Sequence, residues 1–362
     1  MKLFKSLLVA PATLGLLAPM SATANEVTIN DFNPAEELAV TNSRVDGLEA
    51  RLNNFEAGGF SETTSASFSV DATIGSIDGD TTSEATTFEY QYNIGLSTSF
   101  TGEDSLDVAI DSGSDGATTG DNPMAFDTGA TLSVDGVTYS FPLGGVSMVV
   151  GNDTDISASF TGACSYSAFT DYMGDCGTGN TIGKGGNGVT ATGSYAFDSG
   201  FSIAAGLSSV TTKDGILSKE GTDSYGIEAA YTADSYGLAV AYVYDDKGTA
   251  TETTSWGING TYTFDSANLP TISVGYETQE TSGTDSSGYF VGLTWPEVGP
   301  GSVSVGAATA GNFADSATEY MIYEASYSYP VNDGLTITPG VFVEETSGDD
   351  LTGIIVKSSF SF

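Results

Sequence analysis

The sequence predicts an all-β protein: a transmembrane antiparallel β-barrel of about sixteen strands, roughly fourteen to eighteen, preceded by a short coiled-coil helix. Three observations carry this prediction. From about Ser61 onward, apolar residues alternate with small or polar ones over segments of strand length. The N-terminus is built like an export signal. The chain also stops on an alternating strand whose last residue is the aromatic Phe362.

The export signal comes first. Lys2 and Lys5 give residues 1–24 a positive start, Leu7 to Leu17 form a short apolar run, and Ala22-Thr23-Ala24 supplies small residues before a cleavage point. The apolar run is too short to anchor the chain across a bilayer. Residues 25–35 read as a linker. Over 36–57, Leu38, Thr41, Val45, Leu48, Leu52 and Phe55 recur at alternating spacings of three and four, the a/d seam of a coiled coil. Gly58-Gly59 ends the helix. A helix of about three heptads is marginal alone. It therefore either joins partner helices as a self-associating stalk or packs on its own barrel.

The barrel is expected over 60–362. Tyr236, Leu238, Val240, Tyr242 and Tyr244 alternate with glycine, alanine and Val243; Phe201, Ile203, Ala205 and Leu207 do the same in an earlier segment. Trp256, Ile258, Tyr262 and Phe264 share one face, as do Ile272, Val274 and Tyr276. Short turns such as 198–200, 233–235 and 331–334 separate longer polar stretches at 211–223, 245–253 and 311–317. Short turns at one rim and long loops at the other suit a barrel in an outer membrane. Aromatics near strand ends (Tyr231, Tyr244, Phe264, Trp295, Tyr329 and Phe362) suit two interfacial girdles. A soluble β-sandwich would also alternate; the signal, the turn asymmetry and the terminal strand favour the barrel. In that strand Ile354, Val356, Phe360 and Phe362 share a face, and Phe360 with Phe362 forms the expected signal for barrel assembly. Parity sets an even strand number if both ends lie on one side, so sixteen is expected, with eighteen next. Val146–Phe160 reads partly as strand and partly as a constricting loop.

Composition narrows the chemistry. Histidine is absent and there are two cysteines, which removes imidazole acid–base catalysis, histidine triads and most transition-metal sites. No catalytic residue, metal ligand or cofactor is assigned, and no loop has a calcium-ligand spacing. The formal charge is −38, from 47 acidic and 9 basic residues, which disfavours nucleic-acid binding. It fits a cation-attracting field or adaptation to salty water.

If the apolar face meets lipid, the other face lines the lumen. Glu89, Glu228, Glu277, Glu324, Glu344 and the cation Lys357 then point inward as pore-lining candidates. Rings of carboxylates attract cations, although inward acids are also simply where acids are tolerated. Arginine does not occur after Arg51, so no arginine cluster can face these acids. The longest irregular stretch, 161–187, holds Cys164 and Cys176, twelve positions apart. They can close a small disulfide loop in an oxidising compartment, or remain two free thiols. The stretch either folds into the pore, rigidified by that bond, or is a plain exposed loop.

The coil NSRVDGLEARLNNFE running into FSETTSASFSVDATIG resembles the cyanobacterial porins, major outer-membrane proteins related to carbohydrate-selective porins; Arg44 to Arg51 and Phe60 to Thr64 carry the match. CSYSAFTDYMGDCGTGN is similar to a loop of that family. The family carries an S-layer-homology domain before the coil, whereas here only Asn25 to Pro34 occupies that place. The resemblance implies a non-enzymatic outer-membrane channel for small hydrophilic solutes, inorganic ions and sugars among them. It also implies outer-membrane lipid and the barrel-assembly machinery as partners, and a homotrimer. A silent structural barrel is the alternative.

Overall fold

The computed structural model describes residues 64–79, 86–114, 126, 129–186, 188–210, 217–218, 221–246, 252–266 and 268–362. The export signal, the linker and the coiled segment with its seam Leu38, Val45, Leu48, Leu52 and Phe55 lie outside the described residues.

Sixteen long strands and one two-residue strand make up the sheet. They are β1 (Thr64–Asp78), β2 (Thr86–Thr98), β3 (Ser105–Gly113), β4 (Ser133–Leu143), β5 (Val146–Asn152), β6 (Val189–Ala196), β7 (Phe201–Ser209) and β8 (Asp223–Thr232). Then follow β9 (Tyr236–Asp246), β10 (Glu252–Tyr262), β11 (Thr271–Thr281), β12 (Thr284–Val298), β13 (Gly301–Thr309), the short β14 (Phe313–Ala314), β15 (Met321–Asn332), β16 (Leu335–Glu344) and β17 (Leu351–Ser361). Each long strand pairs antiparallel with the long strand before it, and β17 pairs back onto β1. The sheet is therefore a closed sixteen-strand barrel, which leaves no unpaired edge. β14 adds two residues of ladder beside Ser286 and Ser287 of β12.

Closure depends on the terminal strand. Phe360 stands opposite Val70, and the Phe362 N–H donates to the Phe68 carbonyl at 2.9 Å while the Phe68 N–H returns a bond at 3.3 Å. Both terminal phenylalanines point outward with Ile354, which is 66% exposed. The same outward face continues around the wall through Phe201, Ile203, Ile227, Leu238 and Val274, all exposed. Water would penalise so broad an apolar surface; hydrocarbon would not. Among the described residues no helix is long and apolar enough to cross a membrane, so the strands are the candidates for crossing.

Alternation explains the strands. Their inward positions carry Gly, Ser, Thr and Asp, and their outward positions carry β-branched and aromatic residues that fit a pleated surface. Outward rings touch around the turn rim: Phe201 with Tyr231 at 4.6 Å, Tyr231 with Tyr236 at 5.8 Å and Tyr262 with Phe264 at 4.9 Å between centroids. This is the aromatic girdle expected at one interface. The rims are less asymmetric than the sequence suggests. β11 and β12 meet at the loop rim through the two-residue turn Ser282–Gly283, and both residues have positive φ (52° and 81°). Such a primed turn follows the twist of its strands and needs no longer loop.

At the turn rim, residues 99–104 are fastened by one carboxylate. Asp104 Oδ1 accepts from Ser99 Oγ and from the Phe100 and Thr101 N–H groups and the Thr101 hydroxyl, at 2.7–2.9 Å, and Oδ2 accepts from the Tyr139 hydroxyl at 2.7 Å. That hydroxyl, followed by the Thr101 N–H, holds the carboxyl well below the usual carboxylate range.

Candidate functional site

The strand begun at Val146 ends at Asn152, and the chain then enters the barrel. Residues 153–186 form one continuous segment between β5 and β6 that lies against the inner wall. Of the two readings open for 161–187, the inward one is what the structure shows. Cys164 and Cys176 are bonded, S–S 2.00 Å, and close a ring around Tyr166, Phe169 and Met173. Asp171–Gly177 forms 3-10 turns, with Asp175 and Cys176 at φ 49° and 55°. A non-glycine residue held there costs about 1–2 kcal/mol, so the surrounding contacts must hold it in place.

Those contacts are a set of wall carboxylates. The N–H groups of Thr161 and Gly162 donate to Glu228 at 2.6 and 2.8 Å. Glu324 accepts from the Tyr166 hydroxyl (2.9 Å), the Phe169 N–H (2.7 Å), the Thr170 N–H (2.7 Å) and the Thr170 hydroxyl (2.6 Å). Glu277 accepts from the Asn180 N–H and side-chain amide, the Thr181 hydroxyl and the Asn312 amide, all at 2.8–2.9 Å. Asn259 takes the Ala163 N–H at 2.8 Å, and Lys184 pairs with Asp245 at 2.8 Å. Loop backbone donors inside a barrel have no strand partner, and a carboxylate is the strongest acceptor a wall can offer them.

Apolar contacts complete the seat. Tyr166, Phe169, Met173 and Cys176 pack into one buried cluster with Phe290, Ile322 and Phe342 of the wall, and the rings of Tyr166 and Phe290 meet edge to face at 5.0 Å. A second cluster joins Ile182 and Phe160 to the wall alanines Ala230, Ala239 and Ala241. Burial of each large side chain contributes about 1.5–3 kcal/mol. Two inward glycines let the backbones approach: a Cβ on Gly275 would lie 1.9 Å from the Cys176 carbonyl oxygen, and one on Gly257 would lie 1.9 Å from Thr181 Oγ1.

The seat accounts for three of the six inward candidates. Glu228, Glu277 and Glu324 do point inward, but they are 4%, 1% and 3% exposed beneath the loop, so they face loop donors rather than an open passage. Glu89 stands opposite Thr73 on the inner wall near the loop rim, and Glu344 ends β16 at that rim. Lys357 is inward on β17, with its ammonium 3.7 Å from Asp71 of β1.

The wall of β1–β3 carries acids that the sequence reading did not single out. Asp71 accepts from Ser359, Asp107 from Ser105 at 2.9 Å and Asp111 from Ser133 at 3.2 Å. Gln91, Asn93 and Ser69 extend this polar face as a chain of side-chain hydrogen bonds. The inward parity of Asp71 and Asp107 was the available signal. On the loop, Asp155 and Asp175 reach solvent, yet the protein crowded about them lifts both carboxyls above the usual range. For Asp155 the Gly186 N–H opposes that lift and the negative charge of Asp175 adds to it. Burial, reinforced by the charge on Glu324, pushes the Tyr166 hydroxyl upward, so it remains a protonated donor.

The fold is that of the bacterial outer-membrane porins. Pseudomonas putida OprB, in its high-pH structure, superposes with a TM-score of 0.66 at 12% identity, covering 83% of this chain and 94% of its own. An anion-selective porin from Comamonas acidovorans gives 0.58 at 12% identity over 83% and 99% of the two chains. A mutant of the Rh. blastica porin gives 0.53 at 16% over 83% and 100%. In sequence, an uncharacterized protein of Nostoc sp. is 33% identical over 158 residues. That alignment covers 38% of this chain and 27% of the Nostoc protein, so the chain spans about a quarter of the relative it matches. No family model matches the sequence.

Proposed function

We propose that the protein is a passive outer-membrane diffusion channel for small hydrophilic solutes, inorganic ions first and small sugars as the family resemblance implies. The observation that carries the reading is a closed barrel, apolar outside, whose interior holds a loop clamped to one part of the wall and a polar face on another. A loop fastened to β6–β16 narrows the lumen without requiring its closure. The unclamped side offers hydroxyls, amides and carboxylates that can replace water around a passing solute. No group in the lumen has to do chemistry.

The balance of charge on that side favours cations. Asp71, Asp107 and Asp111 on the wall and Asp171 across the gap stand against Lys357; the exposed Asp155 and Asp175 add to the acids of the loop, and Lys184 is already paired with Asp245. A monovalent cation about 7 Å from one carboxylate in water gains roughly 0.6 kcal/mol and an anion loses as much, so an excess of a few acids over cations shifts the ratio several-fold. The anion selectivity of the Comamonas acidovorans porin belongs to that protein alone; a shared barrel does not set the sign of selectivity.

The remaining assignments follow the same reading. Residues 1–24 would direct export, Phe360 and Phe362 would be read by the barrel-assembly machinery, and the coiled segment 36–57 would join three copies. The resemblance to the cyanobacterial porins supports the trimer.

A second reading is favoured by the loop itself, which spans much of the inner wall: a barrel plugged for a structural role. Liposome swelling decides between them. Vesicles holding the purified protein should swell in arabinose and more slowly in larger sugars. Vesicles that do not swell in any of them would favour the plug.

A further inference from the structure

The disulfide ring of the loop does not touch the wall everywhere. Between it and the β1–β2–β17 wall lies a gap of about 250 Å³, with Asp71, Gln91 and Lys357 on the wall side and Thr170, Asp171 and Gly174 on the loop side. We propose that Lys357 and Asp71, facing Asp171 across this gap, form the charge filter of the passage, with Lys357 limiting its preference for cations. The proposal rests on the channel reading and adds the residues that set its selectivity.

Asp171 is held in position. Thr170, its neighbour, donates twice to Glu324, and the Cys164–Cys176 bond closes the ring in which Asp171 sits. The charge at the tip therefore stays at a fixed distance from the wall instead of moving with a flexible loop. Asp71 on the wall is also fixed, since its Oδ1 accepts from the Ser359 hydroxyl.

Lys357 is only loosely neutralised. Its ammonium is 3.7 Å from the carboxylate oxygen, beyond a hydrogen bond, and the two side chains are 34% and 28% exposed. An exposed pair at this separation gains little from its attraction, so both charges stay accessible to a passing ion. Beneath the loop, by contrast, each oxygen of Glu228, Glu277 and Glu324 is engaged by donors and shielded from solvent. An ion in the gap thus meets two carboxylates and one ammonium at close range. The acids outnumber the ammonium, so a hydrated monovalent cation is the species the gap favours and a small anion is the species it slows.

The test is the zero-current potential of the purified full chain in a planar bilayer under a tenfold KCl gradient. Lys357→Gln removes the cation and should raise the potassium-to-chloride permeability ratio about fivefold at low salt, while Asp171→Asn should lower it by a comparable factor. Both shifts should shrink as the salt approaches 1 M, where screening is complete within a few ångströms. Opposite signs from two variants of one gap are not what a merely structural role would produce. If Lys357→Gln does not fold, Asp171→Asn decides alone, because it lies on the loop and changes one atom. Conducting variants whose zero-current potential equals that of the wild type would overturn the filter and leave the channel reading intact. A wild-type chain without conductance would overturn both.

Discussion

Glu324 is the strongest anchor of the inner loop, and its replacement by leucine tests the clamp. Glu324 takes four hydrogen bonds from three residues of the disulfide ring, all of them buried. Leucine leaves two backbone N–H groups and two hydroxyls without an acceptor, at roughly 1–3 kcal/mol for each group that stays buried, on the order of 6 kcal/mol together. The apolar seat of Tyr166, Phe169 and Met173 is worth about the same, at about 2 kcal/mol for each side chain. The two terms nearly cancel, so the ring should leave its seat and return instead of staying locked. The barrel ladders do not depend on this site, and the variant should still fold and resist heat in detergent. Single-channel recording should then show a higher mean conductance with frequent transitions between levels, where the wild type should be steady. A folded variant with the steady wild-type level would refute the claim that wall carboxylates hold the loop.

Three other perturbations address separate parts of the account. Cys164→Ser with Cys176→Ser, or reduction of the wild type by a dithiol, should add noise and raise conductance without altering the far-ultraviolet circular dichroism, because the bond constrains the loop and not the wall. Acidification should lower the cation preference from a pH above the ordinary aspartate range. The raised carboxyls of Asp155 and Asp175 take up protons there, and Asp155→Asn with Asp175→Asn should remove that early phase of the zero-current titration. Deletion of 36–57 should convert a trimer into a monomer in detergent, read by light scattering.

Much of the barrel was legible because side-chain period in a strand is fixed by the pleat. The alternation in 201–209, 236–246 and 271–281 and the aromatic end of β17 specify both the strands and their outward faces. The inward direction of Glu228, Glu277, Glu324 and Lys357 follows from the same parity. What parity cannot report is what lies against an inward residue. A carboxylate facing water and one accepting loop N–H groups have the same pattern in sequence, and the contacts that separate them span 66 to 158 positions along the chain. Inward glycines were the neglected clue. Gly257 and Gly275 sit mid-strand, where glycine weakens a strand, and their absent side chains mark where the loop backbone lies. The two-residue turn at Ser282–Gly283 departs from the rim pattern because loop length is a property of each hairpin rather than of the rim.

The central claim is that a solvated passage remains between the clamped loop and the β1–β3 wall of a membrane-embedded barrel. Conductance of the purified protein in a planar bilayer tests it most directly. The account predicts stepwise insertion events of uniform size, linear in voltage and larger for potassium than for chloride. Membranes that take up the folded barrel and stay electrically silent would contradict it.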